Sequence, residues 1–357
     1  MSIAFIIAAL ISFSLTPLVI FWYRKFGWID KPDAAKPMTT HKRPVPRGGG
    51  IPIAISVISS MLFFVALDQR LAGIILGLII LTVIGVADDR YNLNPYLRLF
   101  FLFMAAGAVV MSGIGIPFIN VPFLGVVRLD QPQLTFPLLG EVRSVWILAD
   151  LFALVWIVGL MNFVNWSKGL DGQLPGIVVI ASLVIGALSL RFSADITQWS
   201  VIILAIITAG AYAGFLPWNF YPQKIMPGFG GGVIGGYLLA IMSLLSTTKV
   251  GTLLVVLGIP LTDAVITIIR RLAQKRSPVW GDRGHLHHRL LDDLGWSKRK
   301  IALFYWGITA ILGIIALRLN SQQKFYTMLS IGLILISGFI WLTHFGRSSK
   351  QHDRKDG

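Results

Sequence analysis

Eleven apolar runs, each about 17 to 22 residues long, constrain this chain most, because that length carries an α-helix across roughly 30 Å of hydrocarbon. They lie at 3–22, 51–67, 71–86, 97–115, 145–163, 176–192, 199–218, 231–246, 251–269, 301–317 and 326–345. Within a bilayer every backbone N–H and C=O must find a partner in the chain, so such runs are helices, and irregular backbone belongs between them. A chain of 357 residues could form two or three soluble domains, but 55% hydrophobic residues, 13% charged residues and a mean hydropathy of +0.75 argue for one integral membrane domain. The first run has no basic segment before it and no small-residue cleavage site, so it is expected to stay as a transmembrane helix. Without cysteine there is neither a disulfide framework nor a thiolate metal site.

The net charge of +15 supplies the orientation. Of 31 Lys and Arg, 24 fall in alternate loops, beginning with the first, and in the C-terminal tail. By the positive-inside rule those segments are cytoplasmic and the N-terminus is outside. The expected fold is an all-α integral membrane protein of eleven spans, a single polytopic domain over 1–345 followed by a basic cytoplasmic tail over 346–357. Basic residues scattered through short loops do not suit nucleic acid; they suit membrane lipid or an anionic substrate at the membrane surface. The one long external loop, 116–144, alternates in short pieces and predicts a small β-hairpin lying on the membrane.

With the orientation set, the reactive residues collect on the cytoplasmic side. Asp88 and Asp89 are either a solvated helix end or a pair able to hold a cation or act as a base. Asn162 and Asn165 share one helical face, as interhelical hydrogen-bond formers or as substrate ligands. They open a polar loop that continues through Lys168 and Asp171 to Gly172. Asn219, Lys224, Asp282 and Arg283 lie on the same side. His285, His287 and His288 lack the spacing of a zinc site; they contact either a phosphate or lipid headgroups. Asp263 lies inside the ninth run, where an ionisable residue marks function, and the nearby Pro260 allows the helix to break. The glycines of 228–236 form either a phosphate-binding nest or small-residue helix contacts.

Taken in order, these pieces resemble the polyprenyl-phosphate N-acetylhexosamine-1-phosphate transferases, the family of the MraY and WecA enzymes. His41-Lys-Arg-Pro44-Val-Pro46-Arg47-Gly-Gly-Gly50 is similar to the family's first-loop motif, and Asp88-Asp89-Arg90 to its double-Asp motif. Asn162-x-x-Asn165-x-x-Lys168-Gly-Leu-Asp171-Gly172 resembles its Asn-x-x-Asn-x-x-Asp-Gly-x-Asp-Gly. Phe215-Leu-Pro-Trp-Asn219-Phe-Tyr-Pro222, Pro260-Leu-Thr-Asp263 and Asp282-Arg283-Gly-His285-Leu-His287-His288 complete the set. Eleven spans and an outside N-terminus match the WecA-like branch better than the ten-span MraY branch.

The resemblance implies transfer of a sugar 1-phosphate from a UDP-activated amino sugar to a polyprenyl phosphate, with release of UMP, by a homodimer-prone membrane enzyme that uses Mg²⁺. It implies that Asp88, Asp89, Lys168 and Asp171 stand at the chemistry, with Asp171 as a metal ligand. Asn162, Asn165, Asn219, Asp263, Arg283, His285, His287 and His288 would then contact substrate. Two positions depart from the pattern. Lys168 stands where the family has an Asp, and Phe229 stands where its Met-Gly-Asp motif has another. Each change removes an oxygen donor of the kind Mg²⁺ favours. Altered metal use, with Lys168 as a fixed cation, is therefore expected; the alternative is a catalytically silent relative that binds polyprenyl phosphate or a partner enzyme.

Overall fold

The computed structural model describes residues 1–32, 40–138, 141–245, 249–277 and 283–344; Asp282 and the basic tail lie outside these. The apolar runs appear as helices in the expected order. They are α1 (Ser2–Lys25), α2 (Gly50–Phe64), α3 (Gln69–Tyr91), α4 (Pro95–Met111), α5 (Ile147–Trp166), α6 (Gln173–Leu190), α7 (Thr197–Asn219), α8 (Gly228–Leu244), the pair α9 (Lys249–Val256) and α10 (Gly258–Ala273), α12 (Lys298–Ala316) and α13 (Ser321–His344). A short amphipathic α11 (Leu286–Asp292) precedes α12. Among the described residues seven helices are long and apolar enough to cross a membrane, or eight when the bent pair counts as one; α2, α4 and α8 are shorter apolar helices.

Local chemistry sets the helix ends that matter for the site. Asp68 caps α3 by accepting from the Leu71 N–H at 2.7 Å, and α3 ends at Asn92 in the left-handed region. Pro95 starts α4, with Asn94 as its cap. α9 and α10 meet at 77° across Leu257. Pro260 falls in the first turn of α10, where its missing N–H leaves no hydrogen bond unmade, so the bend precedes the proline.

α8 is the centre of the bundle, buried along its whole length. Such a helix has no solvent face to keep polar, and its apolar, glycine-rich sequence matches that position. The glycines allow close approach: a Cβ on Gly50 of α2 or Gly85 of α3 would collide with the backbone at Gly230, and one on Gly236 would collide with Leu160 and Met161 of α5. Helix contact is what these glycines provide. At the periphery α13 exposes Leu333, Ile334, Ile340 and Trp341, as a lipid-facing helix does.

The loop at 116–144 forms two hairpins where the sequence predicts one. β3 (Phe118–Val121) pairs with β4 (Gly125–Arg128), and β5 (Gln133–Leu138) pairs with β6 (Glu141–Trp146). The first piece contains its own turn, because Phe123 and Gly125 both take positive φ and reverse the chain between Val121 and Gly125. Phe123 then packs edge-on against Phe325 and Tyr326 of α13. A third ladder, of two residues on each side, joins β1 (Ile29–Asp30) to β2 (Val45–Pro46) within the first loop.

Candidate active site

Three polar clusters form at one end of the bundle, and the loop from Ser167 to Gly172 touches all of them. In the first, Asp88 and Asp89 occupy the last turns of α3. Asp88 receives Arg98 of α4 at 3.3 Å and the Leu93 N–H at 3.1 Å, so its charge is already answered. Asp89 accepts from the Tyr23 hydroxyl of α1 at 3.2 Å through Oδ2, whereas its buried Oδ1 has no hydrogen-bond partner. Lys168 enters the same cluster, its Nζ donating to the Gly228 carbonyl at 3.1 Å. Gly228 adopts φ +67° against the Arg47 carbonyl and Asp89, a place where a Cβ would be both strained and blocked. Phe229, 4% exposed, lies between two cations, with Arg98 5.1 Å and Lys168 5.7 Å from the ring centroid.

Lys168 is partly buried, and withdrawal from water lowers its pKa to about 8; Asp88 and Asp89 oppose that shift, while Arg47 and Arg98 reinforce it. At neutral pH it therefore carries an ammonium beside the side chains of Asp88 and Asp89.

The second cluster fixes the loop from the other side. Asp171, 2% exposed, accepts Lys298 of α12 at 2.9 Å and the Gln223 N–H at 3.2 Å. Asn219 is fully engaged: its oxygen accepts the Gly172 N–H at 3.0 Å, and its nitrogen donates to the Ile225 carbonyl at 2.9 Å and to Gln223 at 3.2 Å. Trp306 donates to the Gly172 carbonyl at 3.1 Å. These bonds make Asn219 a brace between two loops. Lys224 stands apart, over the Trp218 ring at 4.9 Å.

The third cluster contains the histidines. His285 Nδ1 lies 2.8 Å from Asp263 Oδ2, and Asp263 Oδ1 accepts the Leu286 N–H at 2.9 Å. His287 packs against Gly169 so closely that a Cβ there would collide with its ring. Burial, with the neighbouring histidines and Arg283, pushes His287 well below the usual range. Burial followed by Arg283 and His285 pushes His288 down to about 4. Arg283 is held in a fork by Asp292, at 3.1 and 2.9 Å. Of the two α5 asparagines, Asn162 donates back to the Val158 carbonyl of its own helix at 2.8 Å. Asn165 is buried against Gly232, and its Oδ1 has no hydrogen-bond partner.

Lys168 and Phe229 offer Mg²⁺ no oxygen donor. Asp88, Asp171 and Asp263 each meet a basic partner, whereas Asp89 keeps one carboxylate oxygen without a hydrogen-bond partner. Among the described residues no three His, Cys, Asp or Glu side chains gather as a metal site. Tyr23, Arg98, Lys298 and Arg271 have no motif to announce them. Lys298, for example, lies 127 residues from Asp171 and reads as one more basic residue of a basic loop.

On the other side of α10, an apolar cavity of about 610 Å³ lies between α5, α10 and α13, lined among others by Trp156, Phe163, Val265, Ile269 and Leu333.

Known proteins resemble this chain over most of its length. The glycosyl transferase family 4 pattern matches residues 71–247. The chain is 30% identical to a probable undecaprenyl-phosphate N-acetylglucosaminyl 1-phosphate transferase of Bacillus subtilis, over 94% of this chain and 89% of the relative. It is 28% identical to an undecaprenyl-phosphate α-N-acetylglucosaminyl 1-phosphate transferase of Thermotoga maritima, over 89% of each. It is 29% identical to a phospho-N-acetylmuramoyl-pentapeptide-transferase of Acetivibrio thermocellus, over 90% of this chain and 96% of the relative.

Proposed function

The chain belongs to glycosyl transferase family 4, with the polyprenyl-phosphate N-acetylhexosamine-1-phosphate transferases, and from that premise we propose that it transfers a sugar 1-phosphate from a UDP-N-acetylhexosamine to a polyprenyl phosphate without a divalent metal. The reaction runs at the cytoplasmic face of the cell membrane, in an eleven-span protein oriented by its basic loops. A phosphate oxygen of the lipid attacks the β-phosphorus of the donor. The new P–O bond forms as the bond from that phosphorus to the bridging oxygen breaks, and UMP leaves with the bridging oxygen and its electron pair. No proton is gained or lost overall, so the demand on the protein is to hold two anions together and answer the charge of the transition state.

One observation carries this reading: Lys168 brings its ammonium to Gly228 and Phe229, next to Asp88 and Asp89. Two unit charges about 4 Å apart interact by roughly 4 kcal/mol at an effective dielectric near 20, enough to support phosphate binding. A carboxylate in place of Phe229 would only repel that phosphate, whereas the ring adds no negative charge beside Lys168 and Arg98. The apolar cavity beside α10 suits the prenyl chain, since its lining is apolar and includes Phe163, two residues before Asn165.

The test is UMP release by purified protein from UDP-N-acetylglucosamine and undecaprenyl phosphate, with and without EDTA. Turnover that persists in EDTA is expected; complete dependence on added Mg²⁺ would end the fixed-cation reading. Binding of undecaprenyl phosphate with no turnover of any UDP-sugar would identify a silent relative.

A further inference from the structure

α10 has two faces with different duties. Val265, Ile266 and Ile269 line the apolar cavity, whereas Asp263, Thr267 and Arg271, spaced by four, form one buried stripe that faces the histidine loop. The bend after α9 turns this stripe toward the loop. Asp263 is 5% exposed and His285 4% exposed, so their contact is shielded from water.

Both oxygens of Asp263 are used, and each use restricts the other. Oδ1 accepts the Leu286 N–H, which holds the carboxylate in place, and Oδ2 meets His285 Nδ1 at 2.8 Å. Thr267 Oγ1 adds a 3.4 Å contact to the same nitrogen. An ionised carboxylate can only accept, so the Nδ1 of His285 must carry hydrogen. Nε2 makes no hydrogen bond within the described chain and is the atom left for a ligand.

The surroundings distinguish His285 from its neighbours. α10 presents Asp263 and Arg271, the latter over the Trp166 ring at 5.4 Å; α5 presents that indole, 5.7 Å from His285. The histidine's own loop presents Arg283, His287 in parallel stacking at 5.6 Å, and His288. α12 brings Tyr305 toward Asp263. Burial and neighbouring positive groups push His287 and His288 down, whereas, among the described residues, His285 is the ring of the three whose nitrogen meets a carboxylate oxygen at hydrogen-bond distance.

We propose that Asp263 is a positioning residue that locks His285 with hydrogen on Nδ1 and reserves Nε2, protonated in the bound state, for the diphosphate of the nucleotide sugar. A phosphate oxygen is an acceptor. In the locked neutral ring Nε2 offers only a lone pair, and adding a proton there both makes a donor and creates the cation that Asp263 balances. The inference rests on the nucleotide-sugar reading for its ligand, but not for its tautomer.

The chain has six histidines, so ¹⁵N-histidine labelling of the full protein gives a readable spectrum, assigned with His285→Gln. In ligand-free protein above pH 8, His285 should show a pyrrole-type Nδ1 and a pyridine-type Nε2. With saturating UDP, Nε2 of His285 should appear as the protonated type. In Asp263→Asn the Leu286 N–H still needs an acceptor, so the amide oxygen turns to it and the amide nitrogen donates to Nδ1. The neutral ring should then flip to hydrogen on Nε2, and the conversion of Nε2 on binding UDP should disappear. A neutral His285 with hydrogen on Nε2 in the unsubstituted protein would overturn the proposal, and that measurement requires no variant to fold. UDP binding that leaves His285 unchanged would overturn it too. No UDP binding, with the Nδ1–H tautomer in place, would bring down the nucleotide-sugar reading and the ligand role together.

Discussion

Lys168 is a cation only below about pH 8, and this ties the chemistry of the site to one titration. Its pKa is lowered from the ordinary 10.5, so the charge is complete well below pH 8 and is lost as pH rises through that value. Transfer activity should therefore fall on the alkaline side with a midpoint near 8, and Lys168→Arg should move that limb upward, since a guanidinium stays charged. Lys168→Met should lower turnover on the order of 100-fold or more, the usual effect of deleting one group that stabilises a developing charge. Lys168→Asp combined with Phe229→Asp should make turnover depend on Mg²⁺; retention of EDTA-resistant activity by the double variant would show that Lys168 is dispensable. Sequence shows that Lys168 and Phe229 are unusual, but not that they meet, because 60 residues separate Lys168 from its partner Gly228.

At the scale of elements, the glycine segment of α8 is a packing device. Gly236 faces the Leu160 carbonyl and the Met161 Cα with no room for a methyl group, so Gly236→Ala should destabilise the protein by about 1–3 kcal/mol and lower its melting temperature in detergent. Gly307 on α12 is exposed with nothing within 4 Å of a Cβ, and Gly307→Ala should be neutral or stabilising by up to about 1 kcal/mol. Equal effects at the two positions would contradict the packing account. The spacing of these glycines is legible in the sequence; a choice between helix contact and phosphate nest is not, since both use the same residues and differ only in what lies opposite. The α9–α10 bend is half legible in the same way. Pro260 announces a break, but a proline tolerated in a first turn does not say that the bend lies before it.

At the scale of the whole molecule, the absence of cysteine makes orientation directly measurable. Ala194→Cys, between α6 and α7, should react with a membrane-impermeant maleimide in intact cells, whereas Arg276→Cys, after α10, should react only once the membrane is opened. The reverse pattern would move the polar clusters to the outside and remove access to a cytoplasmic nucleotide sugar. What the sequence alone determined is the membrane class, the order of the helices, the gathering of reactive residues at one end and the family. Each follows from quantities that belong to a local stretch: transfer free energy summed over some 20 residues, charge counted loop by loop, and motifs read in order. What only the tertiary structure decided is which partner answers which charge. Asp88 takes Arg98, Asp171 takes Lys298, Asp263 takes His285, and Lys168 takes the Gly228 carbonyl. Such pairings depend on helix register and on contacts between remote turns packed to within about 3 Å, and no local property of the chain carries that information.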